Sequence, residues 1–204
     1  LTSTDGVTWS DATPSAGNNL SAIVWSGTQF LAVGDFGTLY TGGPGAWTAQ
    51  TLGTADTLIG VTWTGDQFVA VGSTGKIFTS PTGVAWTART SGTTTSLFSV
   101  AWSGEQLVAV GETGKILSSA DGASWTARTS GTTQPLFGVA WSSGQFVAVG
   151  DAGKILTSPD GVTWTARTSG TSNQLLRVSG SGRQWVAVGG PGTILTSPDG
   201  VTWT

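Results

Sequence analysis

A period of 39 residues runs through this chain and constrains its fold more than any other feature. One series of tryptophans has successive spacings of 38, 39, 39, 39 and 39 residues: Trp9, Trp47, Trp86, Trp125, Trp164 and Trp203. A second series keeps the same period and has Gly180 at its fifth position: Trp25, Trp63, Trp102 and Trp141. A fixed period near 40 residues is typical of solenoids, tandem arrays and propellers, in which each repeat is one supersecondary unit.

Each repeat contains four strand signals. In residues 136–169 the segments "LFGVAW", "FVAV", "KILTS" and "VTWTART" are separated by the turns "SSGQ", "GDAG" and "PDG". Short β-prone segments between such turns predict hairpins. Helical periodicity is absent, which excludes helical repeats, and a leucine-rich repeat would be shorter. The sequence therefore predicts an all-β fold, a β-propeller of four-stranded antiparallel blades forming a single domain over residues 1–204.

The number of blades follows from counting repeats. Full repeats fall at about residues 20–50, 58–89, 97–128, 136–167 and 175–204, which predicts five blades. Residues 1–10 add one further copy of the hairpin between the third and fourth strands, because "LTSTDGVTWS" matches "ILTSPDGVTWT" at residues 194–204. This hairpin is either spare or completes the last blade. Two other arrangements stay open: a hairpin exchanged with another chain, and a larger ring of six or seven blades.

Composition explains the packing and excludes some partners. The 32 glycines and the alternating Val and Ala suit tight strands near an axis, and the 11 tryptophans supply bulk between blades. The net charge of −3 and the pI near 4.6 argue against a nucleic-acid partner, whose readers carry basic patches. No run of 18 apolar residues is present, so we expect no membrane-spanning helix and no membrane partner.

The hairpin phrase Ser158–Trp164 resembles the Asp-box, or BNR repeat, a pattern of Ser/Thr, Asp, Gly, Thr and an aromatic residue. Copies occur at Ser3–Trp9, Ser119–Trp125 and Ser197–Trp203, whereas Thr82 and Gly43 replace the aspartate in two repeats. The resemblance implies that the aspartate accepts backbone N–H groups across the turn and that the aromatic residue packs inward. It thus implies structural roles for the tryptophans of the first series and for four aspartates: Asp5, Asp121, Asp160 and Asp199.

The longer phrase "LFGVAW…FVAVGDAGKILTSPDGVTWTARTSGT" resembles the propellers of photosystem II assembly factors and their bacterial relatives. This resemblance covers essentially the whole chain and implies the fold. It does not fix a function, because Asp-box propellers include sialidases, sorting receptors, assembly factors and lectin-like binders.

Catalytic chemistry has little support in the sequence. The absence of His and Cys removes the usual zinc ligands, general bases and thiol nucleophiles, so we expect no metal and no cofactor. A sialidase would need a converging arginine triad and a catalytic Tyr. Arg89, Arg128 and Arg167 instead occupy equivalent positions in successive repeats, and Tyr40 is the only tyrosine. The sequence therefore predicts that the protein is not an enzyme.

A binding face is the remaining candidate site. In a propeller, the turns between second and third strands share one face with the connections between blades. Three such turns carry carboxylates, which we take as candidate ligand-binding residues: Asp35, Glu112 and Asp151. Ser73 and Gly190 occupy this position in the other repeats. Polar groups on a rigid ring suit carbohydrate or a polypeptide, although the same acids would also keep a solvated face soluble.

The sequence leaves three functions open. The first is a non-enzymatic binding or scaffold module, including lectin-like carbohydrate binding. The alternatives are a protein-interaction or assembly factor and a recently amplified or engineered propeller with no specific ligand, favoured by three verbatim copies of "TARTSGT". The expected partners are a carbohydrate or protein ligand, and the chain is a monomer or a homo-oligomer formed by exchange of the terminal hairpin.

Overall fold

Five antiparallel sheets make up the structure, a computed structural model that describes residues 3, 5–8, 10, 17–43 and 46–204. The first sheet contains β1 (Leu20–Trp25), β2 (Phe30–Gly34), β3 (Thr38–Gly43) and β4 (Ala46–Thr51). The second contains β5 (Leu58–Trp63), β6 (Phe68–Gly72), β7 (Ile77–Ser80) and β8 (Thr87–Arg89). The third contains β9 (Leu97–Trp102), β10 (Leu107–Gly111), β11 (Ile116–Ser119) and β12 (Thr126–Arg128). The fourth contains β13 (Leu136–Ser142), β14 (Gln145–Gly150), β15 (Ile155–Ser158) and β16 (Thr165–Arg167).

The fifth sheet has three strands, β17 (Leu175–Gly180), β18 (Trp185–Gly189) and β19 (Thr193–Ser197). Thr204 exchanges two backbone hydrogen bonds with Thr196, of 2.8 and 3.0 Å. The same register pairs Thr165 with Thr157 in the fourth sheet. Thr204 therefore stands where a fourth strand begins.

Each sheet is one blade, and its strands follow chain order from the inside outward; we call them A, B, C and D. The A strands of consecutive blades pack side by side, β1 with β5, β5 with β9, β9 with β13 and β13 with β17. All five A strands carry a register shift near the point where the chain enters the blade, as between Leu136 and Gly138. In β9 the shift lies between Leu97 and Ser99. A bulge at this point bends the strand.

The core lies between blades. Val108, Val110 and Ile116 of the third blade pack on a set from the fourth blade that includes Leu136, Val139, Phe146, Ala148 and Leu156. We call the surface formed by the first set and its equivalents the front face of a blade, and the surface formed by the second set the back face. Four such front-to-back interfaces join the five blades.

Tryptophans of both series line these interfaces. Trp141 and Trp164 pack against the cluster between the third and fourth blades. Trp141 also lies 4.6 Å, centroid to centroid, from the ring of Phe146. At Gly180, where the second series lacks its tryptophan, an added Cβ atom would lie 2.4 Å from Ser142 Cβ and 3.0 Å from the indole of Trp185. Ser142 and Trp185 therefore occupy the space next to Gly180.

The hairpin at the start of the chain is described only in part. Residues Asp5–Thr8 are exposed, and Ser3 bonds to Asp5 within the same turn. The proposed role of residues 1–10 as a spare or closing hairpin stays a prediction, and Trp9 lies outside the described residues.

Candidate binding face

The turns between B and C strands are single 3-10 turns with a left-handed middle residue in the first four blades. They span Asp35–Gly37, Ser73–Gly75, Glu112–Gly114 and Asp151–Gly153. Their middle residues have φ of 51–54°: Phe36, Thr74, Thr113 and Ala152. The first residue of each turn donates its N–H to a carbonyl of the connection that leads into the same blade, as Glu112 does to Ser96 at 3.0 Å. The turns are thus anchored at one end.

Close contact with the connection that leaves the blade anchors the B–C turns at their other end. The glycine that closes each turn faces a carbonyl oxygen of the connection that follows the D strand. At Gly114 an added Cβ would lie 2.1 Å from the carbonyl oxygen of Thr132. The turns and the connections at residues 52–57, 90–96, 129–135 and 168–174 therefore form one rigid surface, which we call the connection face.

The three candidate carboxylates have different surroundings on this face. Asp35 accepts hydrogen bonds from Asn19 Nδ2 at 3.0 Å and from Thr57 Oγ1 at 3.3 Å. Glu112 Oε2 accepts the backbone N–H of Ser96 at 3.1 Å. Both carboxylates thus serve the structure of the face.

Asp151 is the exception among the three. The position equivalent to Ser96 in its blade is Pro135, which has no N–H to donate. The Asp151 backbone N–H still bonds to the Pro135 carbonyl at 2.9 Å, but its carboxylate has no hydrogen-bond or ion-pair partner among the described residues. Its carboxylate is therefore free to accept a donor from a ligand.

Asp56 is a carboxylate on this face that the sequence-based prediction did not include. It accepts hydrogen bonds from Thr54 Oγ1 at 2.5 Å and from Thr74 Oγ1 at 3.0 Å, and its Oδ2 lies 3.6 Å from Lys76 Nζ. The Thr54 hydroxyl, above all, holds the pKa of Asp56 below its usual value. The signal was present in the sequence, because the connection at residues 52–57 is the only one of the four connections that carries an acid.

The arginines of the repeat do not converge. Each donates from Nε to a hydroxyl on the C strand of its own blade: Arg89 to Thr79, Arg128 to Ser118 and Arg167 to Thr157, at 2.8–2.9 Å. Arg128 lies with Lys115 and Lys154 along a groove of about 650 Å³, which is also lined by the connection at residues 129–135. The three arginines are held in separate blades, so they form no triad.

The aspartate hairpins lie between C and D strands, at the other end of the blades. In the third blade, Asp121 Oδ1 accepts the N–H groups of Ala123 and Ser124, both at 2.8 Å. Trp125 Nε1 donates to the Gly122 carbonyl at 2.9 Å. Asp160 and Asp199 have the same pattern. Each hairpin is thus closed by both its aspartate and its tryptophan.

These backbone N–H groups stabilise the charged form of each aspartate. They lower the pKa of Asp121, Asp160 and Asp199, and they lower that of Asp5 to about 2. At neutral pH these carboxylates are therefore charged and hydrogen-bonded within their hairpins.

Glutamines of the A–B turns tie neighbouring blades together at this end. Gln29 Nε2 donates to the Thr82 carbonyl at 2.8 Å, and Gln67 Nε2 donates to the Asp121 carbonyl at 2.9 Å. Gln145 makes the equivalent bond to Asp199. Each bond joins one blade to the hairpin of the next.

Comparisons with solved structures agree with this architecture. The chain is similar to YCF48 bound to D1 peptide, with a TM-score of 0.71, 19% identity, and 92% of this chain and 66% of that chain covered. It is similar to YCF48 from Cyanidioschyzon merolae, with a TM-score of 0.71, 15% identity and coverages of 94% and 73%. It is also similar to the WD40 β-propeller domain of Doa1, with a TM-score of 0.73, 10% identity and coverages of 89% and 66%. The fold is a five-bladed β-propeller.

At these identities the likeness concerns the fold alone. This chain spans just under two-thirds of the YCF48 chain in the peptide complex. No protein-family model and no curated protein sequence matches it.

The described ranges contain neither a cluster of metal ligands nor a membrane-spanning helix. The residues there contain no group of three or more His, Cys, Asp or Glu that could hold a metal ion. No helix in the described part of the chain is long and apolar enough to cross a membrane.

Proposed function

We propose that this chain is a non-enzymatic protein-interaction module that binds an extended polypeptide segment on its connection face. The observation that carries the proposal is the free carboxylate of Asp151 on a face whose turns are held at both ends. A rigid surface loses little conformational entropy on binding, and an unpaired carboxylate accepts charge-assisted hydrogen bonds from a Lys or Arg side chain.

The differences among blades favour a single polypeptide over carbohydrate. Lectin-like binding on a repeat propeller would use equivalent residues in every blade. Here the first turn residue is Asp, Ser, Glu, Asp or Gly, and the middle residue is Phe36, Thr74, Thr113 or Ala152 in the first four blades. Phe36 is exposed and offers an apolar anchor larger than the middle residue of the other three turns. Such an asymmetric face fits one extended partner with both apolar and basic side chains.

The similarity to YCF48 bound to D1 peptide supports this choice, because that protein has a similar fold and carries a bound peptide. We also propose that the aspartate hairpins are Asp-boxes with a structural role. Their bonding pattern, in which one aspartate oxygen accepts two backbone N–H groups, supports that assignment.

A binding comparison tests the function. The probes are a set of extended peptides that combine Lys or Arg with aromatic or aliphatic residues, and in parallel a glycan array. We expect peptides to bind with one site per chain by calorimetry, with an affinity that falls as salt rises. Glycans that bind at several sites per chain would establish the lectin-like function instead, and no binding of either class would favour a propeller without a ligand.

The Asp151→Asn variant tests whether the peptide binds at this carboxylate. We expect it to weaken peptide binding about tenfold, which corresponds to about 1.4 kcal/mol, the scale of one charge-assisted hydrogen bond. The matched control is Glu105→Gln, which removes one exposed negative charge from an A–B turn at the opposite end of the blades. Equal affinities for both variants would show that the peptide binds elsewhere.

A further inference from the structure

One of the four interfaces between blades lacks the glutamine bond that the other three make. Gln29, Gln67 and Gln145 each donate from Nε2 to a carbonyl in the C–D hairpin of the next blade. Gln106 holds the same position between the third and fourth blades, yet its side-chain amide has no hydrogen-bond partner among the described residues. The repeated bond is therefore missing at this interface alone.

The hairpin glycines show how Gln106 differs from its equivalents. A Cβ added at Gly200 in the fifth blade would lie 2.7 Å from the amide nitrogen of Gln145. At Gly161, the equivalent glycine of the fourth blade, the nearest atom of Gln106 is its Cγ, at 3.3 Å. The hairpin of the fourth blade thus meets the aliphatic stem of its glutamine, where the hairpin of the fifth blade meets the amide.

A pocket of about 670 Å³ lies at this interface, and its volume is in the range of small-molecule sites. The A–B turn of the third blade, including Gln106, lines one side. Trp141 lines the pocket together with Pro159 and Val162 of the C–D hairpin of the fourth blade. Trp141 is half-buried, whereas Pro159 and Val162 are exposed. The pocket therefore has an indole and two aliphatic side chains as its apolar wall.

The charged groups of the pocket are both acids. The Glu105 carboxylate has no hydrogen-bond or ion-pair partner among the described residues. Asp160 uses Oδ1 for the bonds within its hairpin, and no described residue donates to its Oδ2. None of the described residues that line the pocket is a lysine or an arginine. The negative charge of the pocket is thus not neutralised by its own lining.

We propose that this pocket binds a small organic cation, an ammonium group carried on an aromatic or aliphatic body. The ammonium group donates a charge-assisted hydrogen bond to Glu105, and an indole such as that of Trp141 attracts a cation to its face. The apolar body lies against Pro159 and Val162, which removes apolar surface from water. The pocket is at the end of the blades opposite the connection face, so this site is separate from the proposed peptide site and does not depend on it.

Calorimetry with 2-phenylethylammonium and 2-phenylethanol provides the first test, because the two probes have nearly the same shape and differ in charge. We expect the ammonium ion to bind at one site per chain, and the alcohol to bind at least about tenfold more weakly. Equal affinities for the two probes, or no binding of the ammonium ion, would overturn the proposal.

The Glu105→Gln variant tests the charged group. We expect it to weaken binding of the ammonium ion about tenfold. The matched control is Asp66→Asn, which removes the equivalent charge from the A–B turn of the second blade, where Gln67 makes its bond to the next hairpin. An affinity that is unchanged in Glu105→Gln, or reduced equally in Asp66→Asn, would contradict a role for the Glu105 carboxylate.

The Val162→Trp variant tests the location by filling the pocket. We expect it to abolish binding of the ammonium ion. The matched control is Val201→Trp, because both valines are 39% exposed and occupy the same position in their hairpins. Near-ultraviolet circular dichroism and thermal unfolding verify that the variants are folded. Binding that survives in Val162→Trp, or is lost equally in Val201→Trp, would show that the cation binds elsewhere.

A lysine side chain carries the same ammonium group, so the peptide titration repeated with Glu105→Gln separates the two sources. An unchanged peptide affinity assigns the pocket to a free amine. A weakened peptide affinity would assign the pocket to a lysine of the bound polypeptide and would overturn a separate amine site.

Discussion

At the scale of single residues, hydrogen-bond geometry separates structural carboxylates from available ones. Asp121, Asp160 and Asp199 each accept hydrogen bonds from two backbone N–H groups, and Glu112 accepts one. Asp151 lies beside Pro135, which replaces a residue with an N–H. A single substitution in one connection thus converts a structural acid into a candidate binding group.

The second blade offers a direct measure of what the hairpin aspartate contributes. Thr82 stands in its place, and its hydroxyl accepts the Val84 N–H at 3.3 Å. We expect Thr82→Asp to raise the free energy of unfolding by about 0.5–1 kcal/mol, because the carboxylate would accept two N–H groups at an exposed site. Chemical denaturation measures the change. Thr82→Asn, which has the same shape without the charge, is the control, and an equal gain in both variants would contradict a charge effect.

The lowered pKa values of the hairpin aspartates predict acid sensitivity. A carboxylate with a depressed folded-state pKa stabilises the fold above its unfolded pKa near 3.8 and loses that contribution as pH falls through the folded value. We expect wild-type stability to fall below about pH 4. In a variant with Asp121, Asp160 and Asp199 all changed to Asn, we expect a lower stability at pH 7 and a smaller loss of stability as the pH falls. Thermal unfolding across the acid to neutral range measures both. If this variant loses as much stability at low pH as the wild type, groups other than these three aspartates cause the loss.

At the scale of elements, the connection face depends on close approach between a turn and a loop. Gly114 and Gly131 have nearly the same φ, +70° and +71°. A Cβ added at Gly114 would lie 2.1 Å from the Thr132 carbonyl oxygen, whereas one added at Gly131 would meet no atom within 4 Å. The two glycines therefore separate conformational strain from steric contact.

We expect Gly131→Ala to cost about 1 kcal/mol, because alanine is strained in the left-handed region. Gly114→Ala costs at least about 2 kcal/mol more, because the turn must also move away from the Thr132 carbonyl. Urea unfolding of both variants measures the difference. Equal costs would show that the turn shifts freely and that the connection face is not rigid.

At the scale of the whole molecule, the same front-to-back interface is used four times, and glutamine bonds reinforce it at one end of the blades. The free energy of unfolding of such an array is close to the sum of the contributions from the individual blades and from the interfaces between neighbouring blades. Among the described residues, the first blade packs through its front face on the second blade, and the fifth blade packs through its back face on the fourth. Ile23 of the first blade and Ile194 of the fifth blade are exposed.

The sequence by itself determined the blade. The 39-residue period, the β-prone segments and the Gly-, Asp- and Pro-containing turns act locally, so they predicted five repeats of short antiparallel strands and the position of each hairpin. Repetition also predicted that the turn carboxylates and the connections share a face, because equivalent positions in a propeller recur at equivalent places.

Only the tertiary structure decided which of these groups are free. The Asp151 carboxylate is free of hydrogen bonds, Trp185 is buried beside Gly180, and Asp56 accepts hydrogen bonds from Thr54 and Thr74. All three features depend on contacts that the repeat pattern does not encode. Leu20 and Leu58 are the clearest case. They occupy the same place in the repeat, yet Leu20 is 44% exposed, whereas Leu58 is fully buried in the cluster between the first and second blades. Burial is a property of what packs against a residue, and a local pattern does not contain that information.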